Sequence, residues 1–189
     1  MVSIHAVKGR LAGQAGYAMK IYLATDHAGY TVKEAVKAFL LGENYEVEDC
    51  GAVSFDPHDN YPDFIAKAAE KISHNPFDFA IIFGGNGQGE AMVANKFPNV
   101  RAAVFYGTKE AVAAVDVSGT KSTDPFEIIR LTREHTNANV LSIGARFVED
   151  EDAIEAVKLF LHTPFPALER HAKRLAKITE IEKEIHEYD

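Results

Sequence analysis

Cysteine is all but missing from this chain. Cys50 stands alone among 189 residues, so no disulfide can staple the fold, and a reducing, cytoplasmic setting is the expectation. Positive charge is scarce as well: 20 basic side chains face 28 acidic ones, a formal net charge of −8. A nucleic-acid binder would show a basic stripe, which this balance argues against. A small anionic substrate stays open, because a local patch decides its binding and the total does not. No run approaches the roughly 20 consecutive apolar residues that span a membrane. The eight histidines are scattered and lack the spacing of a zinc site, so neither a metal nor another cofactor is expected. Internal repeats and low-complexity tracts are lacking too. What is present is 47% apolar residues, enough for one domain that buries roughly 70% of its unfolded surface without a structural metal.

Residues 1–18 carry two cations but no continuous apolar core of the kind an export signal needs. Met19 precedes the first strand signal, and the segment before it reads as a vector remnant or an upstream start, which leaves a single domain over 19–189. From Lys20 onward, short β-rich runs alternate with helical spacing. A strand is predicted over 21–25, ended by Asp26, and a helix over 30–41 through Val32, Ala35, Val36 and Phe39. A weaker strand over 45–50 is closed by Gly51, and Tyr61-Pro62 opens a helix running through Ala66 and Ala69 toward Ile72. Phe79-Ala80-Ile81-Ile82-Phe83 is apolar throughout, as a central parallel strand covered on both faces should be. A helix over 90–96 and strands over 101–105 and 140–143 continue the alternation. Repeated βαβ units imply an α/β fold, a three-layer, Rossmann-like parallel sheet flanked by helices, with ligands at the carboxyl ends of the strands. Residues 115–125 are polar and turn-rich between two helical patterns, and read as a loop or a broken helix. A last helix, over about 166–187, carries the apolar stripe Leu168, Ala172, Leu175, Ile178, Ile181 and Ile185, which must dock on its own domain or on a partner.

The densest chemical signal is Gly84-Gly85-Asn86-Gly87-Gln88-Gly89-Glu90, placed between an apolar strand and a helix. Glycines let the backbone turn sharply and bring several N–H groups toward one point, where a helix dipole adds positive potential. The same run also suits a plain tight turn, and it is no phosphate loop, since no Gly-Lys-Ser/Thr follows. Glu90 has two readings: the carboxylate of a capping box closing back toward Gly87, or a general base kept ionised, and so weakened, by the helix N-terminus. Asp26-His27 ends the first strand at the same edge, where Asp26 suits a helix cap as well as a catalytic group. His135, at a helix end, is either a charge partner of that terminus or a functional imidazole. Arg170 and Arg174 share one face of the last helix and Arg146 follows the last strand. They are solvated decoration unless they converge, when their guanidinium groups would clamp a phosphate. Cys50 reads as a small buried hydrophobe.

Taken together, the motifs resemble one family. They are Asp26-His27-Ala28-Gly29, Asp49-Cys50-Gly51, Tyr61-Pro62, the run over 84–90, Ala94-Asn95-Lys96, Arg133-Glu134-His135, Ile143-Gly144-Ala145-Arg146 and Arg170-His171. In that order, from Met19 to about Glu182, they are similar to the sugar-phosphate isomerases of the ribose-5-phosphate isomerase B type, a family that includes the galactose-6-phosphate isomerase subunits. Many members place a cysteine base where this chain has Gly84. Another branch has the glycine and a glutamate at the position of Glu90, and this chain resembles that branch.

The resemblance implies a metal-free aldose–ketose interconversion through an enediol, ribose 5-phosphate to ribulose 5-phosphate. His135 would protonate the ring oxygen as the furanose opens, with Asp26 handling the anomeric hydroxyl, and Glu90 would move a proton between C2 and C1. Backbone N–H groups around Gly85, Asn86, Gly87 and Gly89 would hold the oxyanion. Arg146, Arg170, Arg174 and His27 would bind the phosphate, with Thr136 nearby on the substrate side. The resemblance also implies a homodimer or a dimer of dimers with sites across the subunit boundary, giving the last helix a surface to dock on. Three features depart from the family pattern: Thr136 where asparagine is common, Asn60 where aspartate often precedes Tyr-Pro, and a longer connection over 105–131. Allose 6-phosphate, galactose 6-phosphate or a tetrose phosphate would suit the same catalytic set, and a non-catalytic sugar-phosphate or nucleotide binding module is the reading from a different class.

Overall fold

A computed structural model describes residues 19–186; the extension expected over 1–18 and the end of the last helix at 187 lie outside the described residues. Among these residues, five parallel strands form one sheet: β1 (Lys20–Thr25), β2 (Glu46–Asp49), β3 (Phe79–Gly84), β4 (Ala102–Phe105) and β5 (Val140–Gly144). Their order is β2-β1-β3-β5-β4. The helices are α1 (Tyr30–Gly42), α2 (Pro62–His74), α3 (Gln88–Ala94), α4 (Glu127–Thr136), α5 (Asp150–His162) and α6 (Glu169–His186), and a single 3-10 turn, His27–Gly29, follows β1. The expected three-layer parallel fold is therefore observed.

Strand periodicity builds the layers. Residues alternate across a strand, so Ile21, Leu23, Phe79, Ile81, Phe83, Leu141 and Ile143 face one side of the sheet, against Val32, Val36 and Leu40 of α1 and Ala156, Val157 and Phe160 of α5. Tyr22, Ala24, Ala80, Ile82 and Val140 face the other, against Ile65, Ala68, Ala69 and Ile72 of α2. β3 is buried on both faces along its whole length, which is why its sequence shows no polar alternation. Each such Ile or Phe contributes about 1.5–3 kcal/mol by leaving water. Pro62, without an N–H to waste, starts α2, and Asn137, left-handed at φ 45°, ends α4.

Two expectations need correction. The helical pattern ahead of residue 115 forms no helix: residues 106–126 contain neither helix nor strand, and Val112 is 93% exposed. So short a segment loses more chain entropy than one turn of hydrogen bonds returns unless a face is buried, and here none is. The segment is shaped instead by Asp116, which accepts the N–H groups of Ser118 at 2.8 Å and Thr120 at 3.1 Å. The helix expected over 90–96 starts two residues earlier, at Gln88, and ends at Ala94. α5 was not picked out from the sequence at all, although Asp150, Glu151 and Asp152 in its first turn are the signal of a helix start.

α6 leaves the domain's body to pack along α4 and the edge of β4. A cavity of about 460 Å³ lies there, lined by Val100, Ala102, Leu175, Ile178, Ile181 and Ile185 among others. Among the described residues, no helix is long and apolar enough to cross a membrane.

Candidate functional site

Parallel strands put all their carboxyl ends on one edge, and that edge gathers the first group of expected site residues. Glu90, on α3, is buried at 4% exposure. A Cβ built on Gly84 would fall on the Glu90 carboxylate. The carboxylate thus fills the space that a side chain at 84 would need, and the glycine is a condition for it. The capping-box reading is not what is seen, since the Glu90 carboxylate meets its own backbone N–H and no hydrogen bond joins it to Gly87, the left-handed residue before α3 at φ 77°. Nor is the acid a weakened base. Burial, with the nearby Asp26 charge adding to it, raises the Glu90 pKa above the ordinary carboxylate value, although its own backbone N–H pulls the other way.

Asp26 is buried at the end of β1, where it takes the capping position and keeps its second oxygen on the site side, near His27. Its Oδ1 accepts the N–H of Ala28 at 2.9 Å, capping the 3-10 turn, while Oδ2 lies 3.8 Å from His27 Nδ1. His27 is held by Asp59, whose Oδ1 accepts the ring Nδ1–H at 2.8 Å and the backbone N–H at 2.9 Å. Asp26, His27 and Asp59 each place one ligand-type atom within 4.8 Å of the others, the donor set among the described residues that could accept a divalent ion. In the structure His27 Nδ1 is already taken up by Asp59.

The glycine loop closes this edge. Gly87 fits against Ser142, whose hydroxyl donates to the Gly87 carbonyl at 2.7 Å, and Asn86 Oδ1 accepts the N–H of Gln88 at 3.0 Å. Arg146 donates its backbone N–H to the Gly85 carbonyl at 3.1 Å, and a Cβ on Gly85 would come within 3.2 Å of the Arg146 guanidinium. Tyr61 crowds Gly89 in the same way, its hydroxyl 2.8 Å from the place of a Cβ. Arg146, Gly85, Asn86, Gly87 and Gly89 therefore belong with Glu90, Asp26 and His27.

The Asp49-Cys50-Gly51 motif supports the edge from behind. Lys33 is fully buried and donates to Asp49 Oδ2 at 2.7 Å and to the Ala52 carbonyl at 2.8 Å, while Asp49 Oδ1 accepts the Gly51 N–H at 3.0 Å. Burial pushes the Asp49 carboxyl up, but Lys33, Lys37 and that N–H hold it below the ordinary value. The turn so fixed pairs with the last residue of β1, Thr25 N–H donating to Gly51 at 2.7 Å. Cys50, expected to be buried, is half-buried at the margin of the core, and desolvation pushes its thiol up to about 11, which removes it as a base.

The second group lies elsewhere. His135 sits in the last turn of α4, which leads into the amino end of β5, so within one chain it is on the opposite edge of the sheet from Glu90. The five residues of β5 put roughly 16 Å between the two edges at about 3.3 Å per residue. His135 stacks on His171 of α6, ring centroids 4.3 Å apart and planes 10° apart. His171 is buried, and Arg170 Nε donates to its Nε2 at 2.9 Å. Desolvation, then His135, Arg170 and Arg174, push the His171 pKa down. Arg174 is exposed one turn further along. Thr136 lines the α6 cavity and donates its hydroxyl to the Thr132 carbonyl.

Arg133, two residues before His135, fixes this end. It stacks over Phe79 at 4.8 Å, donates to the carbonyls of Thr163 and Ala138, and burial pulls its pKa down to about 10, still charged at neutral pH. The guanidinium trio therefore divides, Arg146 with the Glu90 edge and Arg170 and Arg174 with His135. Sequence reasoning did not single out Asp59 and quoted His171 only within the Arg170-His171 motif, with no role of its own. His171 carried a signal in its place beside Arg170, and Asp59 carried none beyond lying two residues before Tyr61.

A parallel α/β domain whose strand ends gather a buried carboxylate over a glycine, an aspartate, an imidazole and an arginine is the frame of an isomerase, and the family match fixes that class. The chain belongs to the Ribose/Galactose Isomerase family, whose model matches residues 21–121 and 122–178. It is 33% identical over 165 residues to ribose-5-phosphate isomerase B of Mycolicibacterium paratuberculosis, covering 87% of this chain and 92% of that one. It is 35% identical over 149 residues to 4-deoxy-4-sulfo-D-erythrose isomerase of a Clostridium species, covering 78% of this chain and 81% of the relative. Among solved structures, ribose-5-phosphate isomerase B of Mycoplasma genitalium with bound ribulose-5-phosphate superposes with a TM-score of 0.76 at 35% identity, covering 88% of this chain and 97% of that one.

Proposed function

We propose that the chain interconverts ribose 5-phosphate and ribulose 5-phosphate by metal-free proton transfer through an enediol, in a cytoplasmic homodimer or dimer of dimers whose sites each draw on two subunits. The observation that carries this reading is the Glu90 carboxylate, buried over Gly84 with Asp26 beside it and Arg146 across Gly85. A carboxylate whose pKa is raised by desolvation is a stronger base than a surface one, which suits removal of a proton from carbon.

His135 of a second subunit, as imidazolium, protonates the furanose ring oxygen, and the free Oδ2 of Asp26 takes the proton of the anomeric hydroxyl. The ring opens to the aldehyde. Glu90 then removes the proton from C2, the C1 oxygen gains negative charge, and the N–H groups of the glycine loop hold it. The O2 proton passes to O1 and Glu90 returns its own proton to C1, completing the ketose with no atom gained or lost. Arg146 and His27 meet the phosphate from one chain, and Arg170 and Arg174 from the other. Thr136 comes to the same boundary, and the apolar face of α6 docks on the partner. Two facts support the cross-chain reading: the single chain keeps His135 and Glu90 on opposite edges of its sheet, and Ile178, Ile181 and Ile185 of α6 are all at least half exposed.

The test is a coupled assay of ribose 5-phosphate, allose 6-phosphate, galactose 6-phosphate and erythrose 4-phosphate with a chelator present. Ribose 5-phosphate should turn over best, with solvent deuterium entering C1 or C2. Turnover of only a hexose or tetrose phosphate would overturn the substrate, loss of activity with the chelator would overturn the metal-free route, and binding without turnover would leave only a binding module.

A further inference from the structure

Asp59 has no role in the chemistry above, yet it is tied to the site by its carboxylate. It stands in the connection between β2 and α2, 32 residues from His27, and reaches back across the end of β1. Its side chain is 9% exposed. One oxygen accepts both N–H groups of His27, the backbone's at 2.9 Å and the ring's at 2.8 Å, and the other oxygen, Oδ2, is buried with no hydrogen-bond partner. The other groups facing the imidazole are Asp26, 3.8 Å from the same ring nitrogen, and the edge-on ring of Phe55, 6.4 Å away between centroids.

A carboxylate can only accept, so the hydrogen is on Nδ1, and Nε2, on the far side of the ring, is the nitrogen left for a ligand. Pinning the loop would need no charge. An asparagine amide oxygen could accept the same two N–H groups, its NH2 taking the unpartnered place of Oδ2, and would avoid the larger cost of burying a charge. What aspartate adds is a negative charge directly behind a ring whose other nitrogen is open.

We propose that Asp59 is a positioning residue for substrate binding: it holds His27 as the Nδ1–H tautomer and backs the ring with negative charge, so that Nε2 is presented to the phosphate ester of the substrate. This rests on the reading of His27 as a phosphate contact. The effect falls on binding, because Asp59 acts on the substrate through His27, which is a phosphate contact in this reading.

The experiment is steady-state kinetics on ribose 5-phosphate for Asp59→Asn, Asp59→Ala, His27→Ala and the double variant, with 15N spectra of the His27 ring. The expected result for Asp59→Ala is a KM raised by about tenfold, the scale of a charge-assisted hydrogen bond, with kcat little changed. Asp59→Asn, isosteric and able to fold if the alanine variant does not, should show a smaller rise in the same direction. In the His27→Ala background Asp59→Ala should add nothing. A purely structural role predicts the same penalty in both backgrounds, since the backbone N–H of residue 27 survives, and that result would overturn the proposal. So would a wild-type ring protonated on Nε2, or activity raised by added Mn²⁺ and lost in Asp59→Asn, which would make the cluster a metal site. Should the wild type fail to turn over ribose 5-phosphate, the functional reading falls, while titration with inorganic phosphate still tests the pair: Asp59→Ala must weaken phosphate binding only when His27 is present.

Discussion

The two edges of the sheet are built on opposite principles. At the carboxyl edge the ionisable groups are buried and locked: Glu90 and Asp26 are nearly dry, His27 is held by Asp59, and Lys33 and Asp49 pin the turn beneath them. At the amino edge two buried groups, Arg133 and His171, support others that reach outward, with His135 half-buried on one side and Arg174 exposed. The first edge gives a carboxylate a dry environment, while the second sets an imidazole and two guanidinium groups on a helix pair. On the reading proposed above, the two edges are halves of different sites, the Glu90 edge suited to hold a base and the His135 edge to meet a second chain.

Replacing the base should show the largest effect. Glu90→Gln keeps the shape of the side chain and removes proton transfer, so kcat should fall about 10³-fold while phosphate binding stays near that of the wild type. If activity fell only a few-fold, the comparison would break at its stronger side. Next comes the space over the strand end. Gly84→Ala puts a methyl group where the Glu90 carboxylate lies, and a misplaced base should cost about 10²-fold in kcat. An unchanged rate would mean that the carboxylate works from somewhere else.

The amino edge should respond more mildly and more selectively. His135→Asn should lower turnover of ribose 5-phosphate by about tenfold or more, and spare erythrose 4-phosphate in any residual tetrose activity, because a 4-phosphorylated tetrose cannot close a furanose ring. Equal losses on both sugars would take ring opening away from His135.

The smallest effect is on stability and carries a sign. Glu90 has its folded-state pKa raised, so the native chain binds that proton more tightly than the unfolded chain does, and ionising the buried acid costs stability as pH rises through the carboxylate range. Glu90→Gln should therefore melt higher than wild type at neutral pH, by about 2–4 °C on the scale of 1 kcal/mol in a chain of this size, and the gain should vanish as pH falls below that range. The same raised pKa sets the acid limb of kcat above the value of a surface glutamate. A variant less stable than wild type at neutral pH would show that the acid is not strained by its burial.

Much of this was legible before any coordinates. The unbroken apolar run of β3 pointed to a strand covered twice, and the step of three and four along α1 named part of the face that it buries, Val32 and Val36, while Lys33 and Leu40 went unnamed. Local backbone chemistry writes such signals into short windows. Glu90 was legible as a candidate because it follows a glycine run between a strand and a helix, although that run alone suits a plain tight turn as well and it took the family resemblance to favour the base. The sign of its environment was not, because a helix start argues for a lowered pKa while burial and Asp26, set by residues far away in sequence, decide for a raised one. Asp59 was invisible on the same ground: nothing local says that a loop residue will cross the end of β1 to meet His27. The helical pattern ahead of residue 115 misled because periodicity states what a segment could bury, not whether a surface exists to bury it against. The division of the three arginines follows from topology, which places position 146 after a strand and positions 170 and 174 on a helix beyond the opposite edge.

Mixing two impaired chains tests the claim of paired half-sites most directly. Glu90→Gln and His135→Asn subunits are each expected to form poor homodimers. If every site takes Glu90 from one chain and His135 from the other, random pairing in a twofold dimer leaves one intact site in half of the dimers, and about a quarter of wild-type activity should return. A mixture no more active than its parents, with exchange of subunits verified, would mean that both residues of a site belong to the same chain, and the account of two half-sites would be contradicted.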